Sequence, residues 1–153
     1  MHKLELKIPP PLVLLVCAAL VWLTAQALPL SFSPHSALKI AALVSALAGL
    51  IVAFSALALF IRMRTTVHPH RPAHSRRLVT GGVYRFSRNP MYLAMAAGLL
   101  AWILWLGSWP GLLWLAAFAA YITRFQIVPE ERALAAKFGS RYQRYCRRTR
   151  RWL

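Results

Sequence analysis

Two adjacent carboxylates are the residues in this sequence best suited to chemistry. The chain has three acidic side chains against nineteen Lys and Arg, and two of the three, Glu130 and Glu131, stand together in "IVPEERALAAKFGSRYQRY" directly after an apolar run. Carboxylates accept hydrogen bonds from hydroxyl groups and hold an ammonium. The second candidate lies about forty residues upstream, in "GGVYRFSRNPMY". There Asn89 is suited to an N-cap and Pro90 to the first helical position, so a helix should begin with its amide groups free. With Arg85 and Arg88 beside it, that helix start is suited to a carboxylate or a phosphate.

Each motif also has a plainer reading. The first is a capped helix whose arginines grip headgroups; in the second, Pro129 opens a helix and the two acids sit where its dipole favours negative charge. The dipole contributes roughly 0.3–1 kcal/mol, which accounts for one acid but not for a pair. Taken together, a helix start and a carboxylate pair suit a zwitterion carrying both a carboxylate and positive charge. S-adenosylmethionine is such a molecule, although the spacing alone does not single it out.

The elements that position these motifs are membrane helices. With 59% hydrophobic residues, six Trp and a mean hydropathy of +0.51, the 153-residue chain falls outside the range of a soluble domain. We expect an all-α, multi-span membrane protein of one domain (1–153), with about four transmembrane helices and a C-terminal amphipathic interfacial helix. The spans are placed at about 11–28, 38–61, 90–106 and 109–128, the cytoplasmic loop at 62–89 and the cytoplasmic tail at 129–153. The second apolar run, Ile40 to Ile61, is long enough for a hydrocarbon core of roughly 30 Å. "GSWPG" at Gly107 to Gly111 breaks the third run into a hairpin. The first segment resembles a signal peptide in its Lys3, Lys7 and "AQA", but its apolar run exceeds an ordinary signal core, so we read it as a retained span.

Basic residues concentrate in the loop after the second span and in the tail. By the positive-inside rule the loop and both termini are cytoplasmic; the expected location is a bacterial inner membrane. The net charge of +16 then belongs to anionic headgroups rather than to nucleic acid. In the tail, Leu134, Phe138, Tyr142 and Tyr145 recur on one helical face and Lys137, Arg141, Arg144 and Arg148 on another, the pattern of an interfacial helix. Cys17 and Cys146 lie at different depths in a reducing setting, so no disulfide is expected.

"GGVYRFSRNPMYLA" followed by "PEERALAAKFGSRYQRY" resembles the isoprenylcysteine carboxyl methyltransferase and phospholipid N-methyltransferase family of membrane enzymes. The resemblance spans roughly Thr65 to Leu153. It implies methyl transfer from S-adenosylmethionine to a lipophilic or membrane-associated acceptor, with the cofactor enclosed on the cytoplasmic side by Arg88, Asn89, Pro90 and Tyr92 and by Glu130 and Glu131. Tyr142 and Tyr145 would help to close the lid. Asn89 stands where the eukaryotic carboxyl methyltransferases have His, Ala94 where many members have Gly, and Thr149 and Arg150 where relatives often carry Val and Pro.

No catalytic side chain is assigned, because in-line methyl transfer depends chiefly on alignment and a dry site. Arg124 either orients an anionic acceptor or snorkels. His68, His70 and His74 are close in sequence, but Pro69 and Pro72 and the lack of nearby acids argue against a metal site. Two other functions stay open: a non-enzymatic anionic-lipid-binding or assembly protein, and a membrane reductase of the sterol-reductase type using a reduced nicotinamide. Prenyl-cysteine, phosphatidylethanolamine, a small thiol and a quinone-like molecule are all open as acceptors, and oligomeric state is not legible.

Overall fold

The computed structural model describes residues 5–28, 36–62 and 78–153. Five α-helices carry the described chain: α1 (Pro10–Ala27), α2 (Ser36–Arg62), α3 (Pro90–Leu106), α4 (Gly111–Ile122) and α5 (Val128–Arg148). A short 3-10 turn, Gly82–Arg85, precedes α3, and a π-helical turn, Thr123–Ile127, links α4 to α5. His68, His70 and His74 lie outside the described residues. Among the described residues no group of three metal-binding side chains occurs.

Small residues let α2 and α3 approach closely. Ala42, Gly49 and Ala56, seven apart, form the buried stripe of α2. A Cβ on Gly49 would come within 3.0 Å of the Ala94 carbonyl oxygen and 3.3 Å of the Ala97 Cβ. Beside it, Ser45 Oγ donates to the Ala97 carbonyl at 2.9 Å. In lipid, where apolar burial gains little, such close backbone packing and interhelical hydrogen bonds hold helices together. The opposite side of α2 leaves Leu43, Leu47, Leu50 and Phe54 exposed, as a lipid-facing surface requires.

The remaining helices close around a core of Cys17 and Val21 from α1, Leu99 and Ile103 from α3, and Phe118 and Ile122 from α4. Gly107 ends α3 in the left-handed region at φ 65°, which favours glycine. Gly111 then begins α4 where a Cβ would lie 2.9 Å from Ile103 Cγ1, so the hairpin depends on a missing side chain.

α1, α2 and the helical run Gly111–Arg148 are each long and apolar enough to cross a membrane, and α3 is a shorter apolar helix. The run of 38 residues is about 57 Å long against a core of roughly 30 Å. Its polar half, from Pro129 onward, therefore projects beyond the apolar span.

That continuity differs from the expectation of a tail helix starting afresh at Pro129. Proline lacks an N–H and its ring clashes with the carbonyl four residues back, which should break a helix. Here the break is absorbed by the π turn, in which the Val128 N–H reaches the Thr123 carbonyl. The Phe125 carbonyl, deprived of the Pro129 N–H, accepts from the Leu6 N–H at 3.0 Å instead. Glu130 and Glu131 consequently do not occupy a free helix end. Further along, Gly139 at φ 49° kinks α5 and turns its last two helical turns back toward the loop.

Candidate functional site

Three backbone segments meet at the polar end of the bundle. The extended residues after α5 run beside the turn that precedes α3, forming a parallel bridge between Ser87 and Arg150, with the Arg88 N–H donating to the Arg150 carbonyl at 3.0 Å. Thr149, buried, directs Oγ1 toward the Arg85 carbonyl at 3.4 Å. Asn89 joins the same seam: its side-chain amide donates to the Arg151 carbonyl at 2.9 Å. Asn89 therefore holds the C-terminal segment and does not cap α3 with its side chain as expected.

This seam brings the two glutamates against the start of α3. Tyr92, in the first turn of α3, donates its hydroxyl to Glu130 Oε1 at 2.5 Å. Arg88 lies 3.3 Å from Glu131 Oε1, and Arg151 closes on the same carboxylate through two hydrogen bonds of 3.0 and 2.7 Å. The paired arrangement raises the Arg151 pKa above its ordinary value, chiefly through the hydrogen bond to Glu131.

The adjacent acids thus meet opposite surroundings. Glu131 is neutralised by two guanidinium groups. Among the described residues no cation pairs with Glu130, and burial pushes its carboxyl up to about 8, against a smaller downward pull from the Tyr92 hydrogen bond. Nearby, Arg88 Nε is buried with no hydrogen-bond partner among the described residues, and Arg88 Nη1 donates to the Cys146 sulfur. Cys17 and Cys146 are both free thiols.

Tyr142 and Tyr145 form the wall of this region. With Leu134, Phe138 and Cys146 they pack on Leu78, so the apolar face of α5 covers the loop before α3. The Tyr145 hydroxyl donates to the Tyr84 carbonyl at 2.7 Å. Burial raises the Tyr145 pKa above its ordinary value.

The structure brings Arg88, Asn89, Tyr92, Glu130 and Glu131 into one network at the start of α3 (Pro90), with Tyr142 and Tyr145 alongside. Arg124 is elsewhere. It sits in the π turn and pairs with Glu5 at 3.5 Å, and Arg132 holds the same carboxylate at 2.7 Å. Sequence reasoning missed Arg151, since "RRTRRWL" reads as a basic terminus, and it missed Glu5 as a partner across 119 residues.

Apolar helices of spanning length, gathered at one end by buried ionisable groups, define a helical integral membrane protein. A family model described as phospholipid methyltransferase matches residues 37–141, well over half of the chain, and the chain belongs to that family. The match begins within α2, earlier than the motifs alone indicate, and includes Arg88 through Tyr92 and both glutamates. A protein of Haemophilus influenzae (strain Rd), described as uncharacterized, is 49% identical over 65 residues, covering 41% of this chain and all of that protein. No solved structure matches the chain.

Proposed function

We propose that this chain transfers a methyl group from S-adenosylmethionine to a lipophilic or membrane-associated acceptor, a carboxylate, amine or thiol. The cofactor would bind where the loop before α3 meets α5, on the cytoplasmic face of a bacterial inner membrane, with both termini on that side. Family membership supports the reaction class, and the pairing of a neutralised Glu131 with an uncompensated, buried Glu130 is the observation that carries the site.

The residues fit such a zwitterion. Among the described residues Glu130 has no cation of its own and Arg88 Nε no hydrogen-bond partner; the first suits ribose hydroxyls or an ammonium, the second a carboxylate. Arg88, Asn89, Tyr92, Glu130 and Glu131 would hold the cofactor, with Pro90 fixing the start of α3 and Tyr142 and Tyr145 keeping water out. When bound, S-adenosylmethionine supplies an electrophilic methyl on a positively charged sulfur. The protein contributes alignment and dryness, since charge falls as the nucleophile attacks. Should the acceptor be an amine, its proton has to leave, and the ionised fraction of Glu130 can take it, a role that strengthens as pH rises toward about 8.

Calorimetric titration of S-adenosylhomocysteine tests the reading, with the wild type beside Glu130→Gln and the Glu130→Gln, Glu131→Gln pair. Saturable wild-type binding should weaken by about 2 kcal/mol or more in the double variant, the scale for charged hydrogen-bond partners. Glu130→Gln retains the arginine clamp and should still lose affinity. Absence of binding by folded wild type in lipid nanodiscs would overturn the proposal.

A further inference from the structure

A second polar feature lies beside the turn before α3. Among the described residues an open groove of about 540 Å³ runs between the end of α2 and this turn, lined by Leu59, Arg62, Gly82, Val83, Arg85 and Phe86 among others. Its walls are mostly apolar, and its polar end carries two arginines. Phe86 is 76% exposed. Gly82 forms part of the floor: at φ 56° its backbone lies so close to α2 that a Cβ would come 2.7 Å from Leu59 Cδ1.

The two arginines have no counter-charge. The entire sequence contains three acidic side chains. Glu5 is held by Arg124 and Arg132, Glu131 by Arg88 and Arg151, and Glu130 is buried against Tyr92. No side-chain carboxylate is left to neutralise Arg62 or Arg85, which leaves both open to an anion from outside the chain. Two guanidinium groups above an apolar groove at the end of a membrane span suit a phosphate whose ester continues into hydrocarbon.

We propose that this groove binds one anionic glycerophospholipid, its phosphate between Arg62 and Arg85 and an acyl chain along Leu59, Val83 and Phe86. The site is separate from the glutamate pair and does not depend on the methyl-transfer reading. It touches the same turn, however, from the opposite side: the Tyr84 and Arg85 carbonyls accept from Tyr145 and Thr149 of the tail. A lipid seated there would brace the turn against which the tail docks.

Native mass spectrometry of full-length protein released from nanodiscs of equal phosphatidylglycerol and phosphatidylcholine tests the site. The wild type should retain one phosphatidylglycerol in preference to phosphatidylcholine. Arg62→Gln with Arg85→Gln should reduce that retention about tenfold, the consequence of losing charged hydrogen bonds. Arg147→Gln with Arg148→Gln removes equal charge from the exposed end of α5 and should leave the retention unchanged. Ala58→Trp, at an exposed groove position, fills the apolar part while keeping both arginines, and should also release the lipid. Equal retention of the two lipids, or retention unaffected by both groove variants, would overturn the proposal. Displacement by soluble glycerol phosphate as effective as displacement by phosphatidylglycerol would likewise overturn it, by assigning the arginines to an aqueous anion.

Discussion

Two carboxylates in this protein are each clamped by two arginines, one in the segment before α1 and one in α5. In the first, Glu5, 6% exposed, is held by Arg124 and Arg132, whose side chains are 47% and 56% exposed. In the second, Glu131 is held by Arg88 and Arg151 at 15% and 40%. The first clamp ties the segment before α1 to the π turn, alongside the Leu6 hydrogen bond and the 2.7 Å bond from Gln126 Nε2 to the Ile8 carbonyl. The second ties the tail to the start of α3 and has Glu130 immediately beside it. Exposed arginines make the first a fastening; the buried Arg88 makes the second an electrostatic environment for the acid beside it.

Breaking the drier clamp should cost most. Glu131→Ala leaves Arg88 largely buried without its carboxylate and should lower stability by about 3 kcal/mol, read as the thermal midpoint in detergent. Combining it with Arg88→Gln should recover much of that loss. If Glu131→Ala costs no more than Glu5→Gln, the distinction between the clamps fails.

The pH dependence sharpens the contrast from the side of Glu130. Its carboxyl is raised to about 8 in the fold from 4.5, so across that window the folded state holds a proton that the unfolded chain has released. The stability it contributes is full below about 4.5 and is lost as pH rises through about 8, by at most about 1.4 kcal/mol per pH unit. Thermal midpoints measured between pH 5 and 8 should fall in the wild type and fall less in Glu130→Gln.

Smaller effects follow outward. Tyr92→Phe removes the hydroxyl that meets Glu130 and should cost about 1 kcal/mol, with the Glu130 carbonyl stretch in infrared titration persisting to higher pH. Glu5→Gln, facing arginines that water already screens, should change stability by less than about 1 kcal/mol, and the difference should shrink further in high salt.

Much of this arrangement was legible along the chain. The apolar runs announced the helices, the Asn89-Pro90 step marked where α3 begins, and two adjacent glutamates in a sequence so poor in acids singled out the candidate site. The partner of each glutamate was not legible, because Arg151 is one basic residue in a basic tail and nothing local distinguishes it. Nor was the π turn, since a shift of one residue in hydrogen-bond register barely alters an apolar pattern. Asn89 had the right type and place for a cap, but its amide found a carbonyl of the distant tail.

Sequence alone determined that the chain is helical, that its apolar runs belong in a membrane and that its rare acids are concentrated at one edge, because composition and periodicity are local properties. Only the tertiary structure decided which acid is neutralised and which is left buried, because pairing and desolvation depend on what the fold brings within a few ångströms.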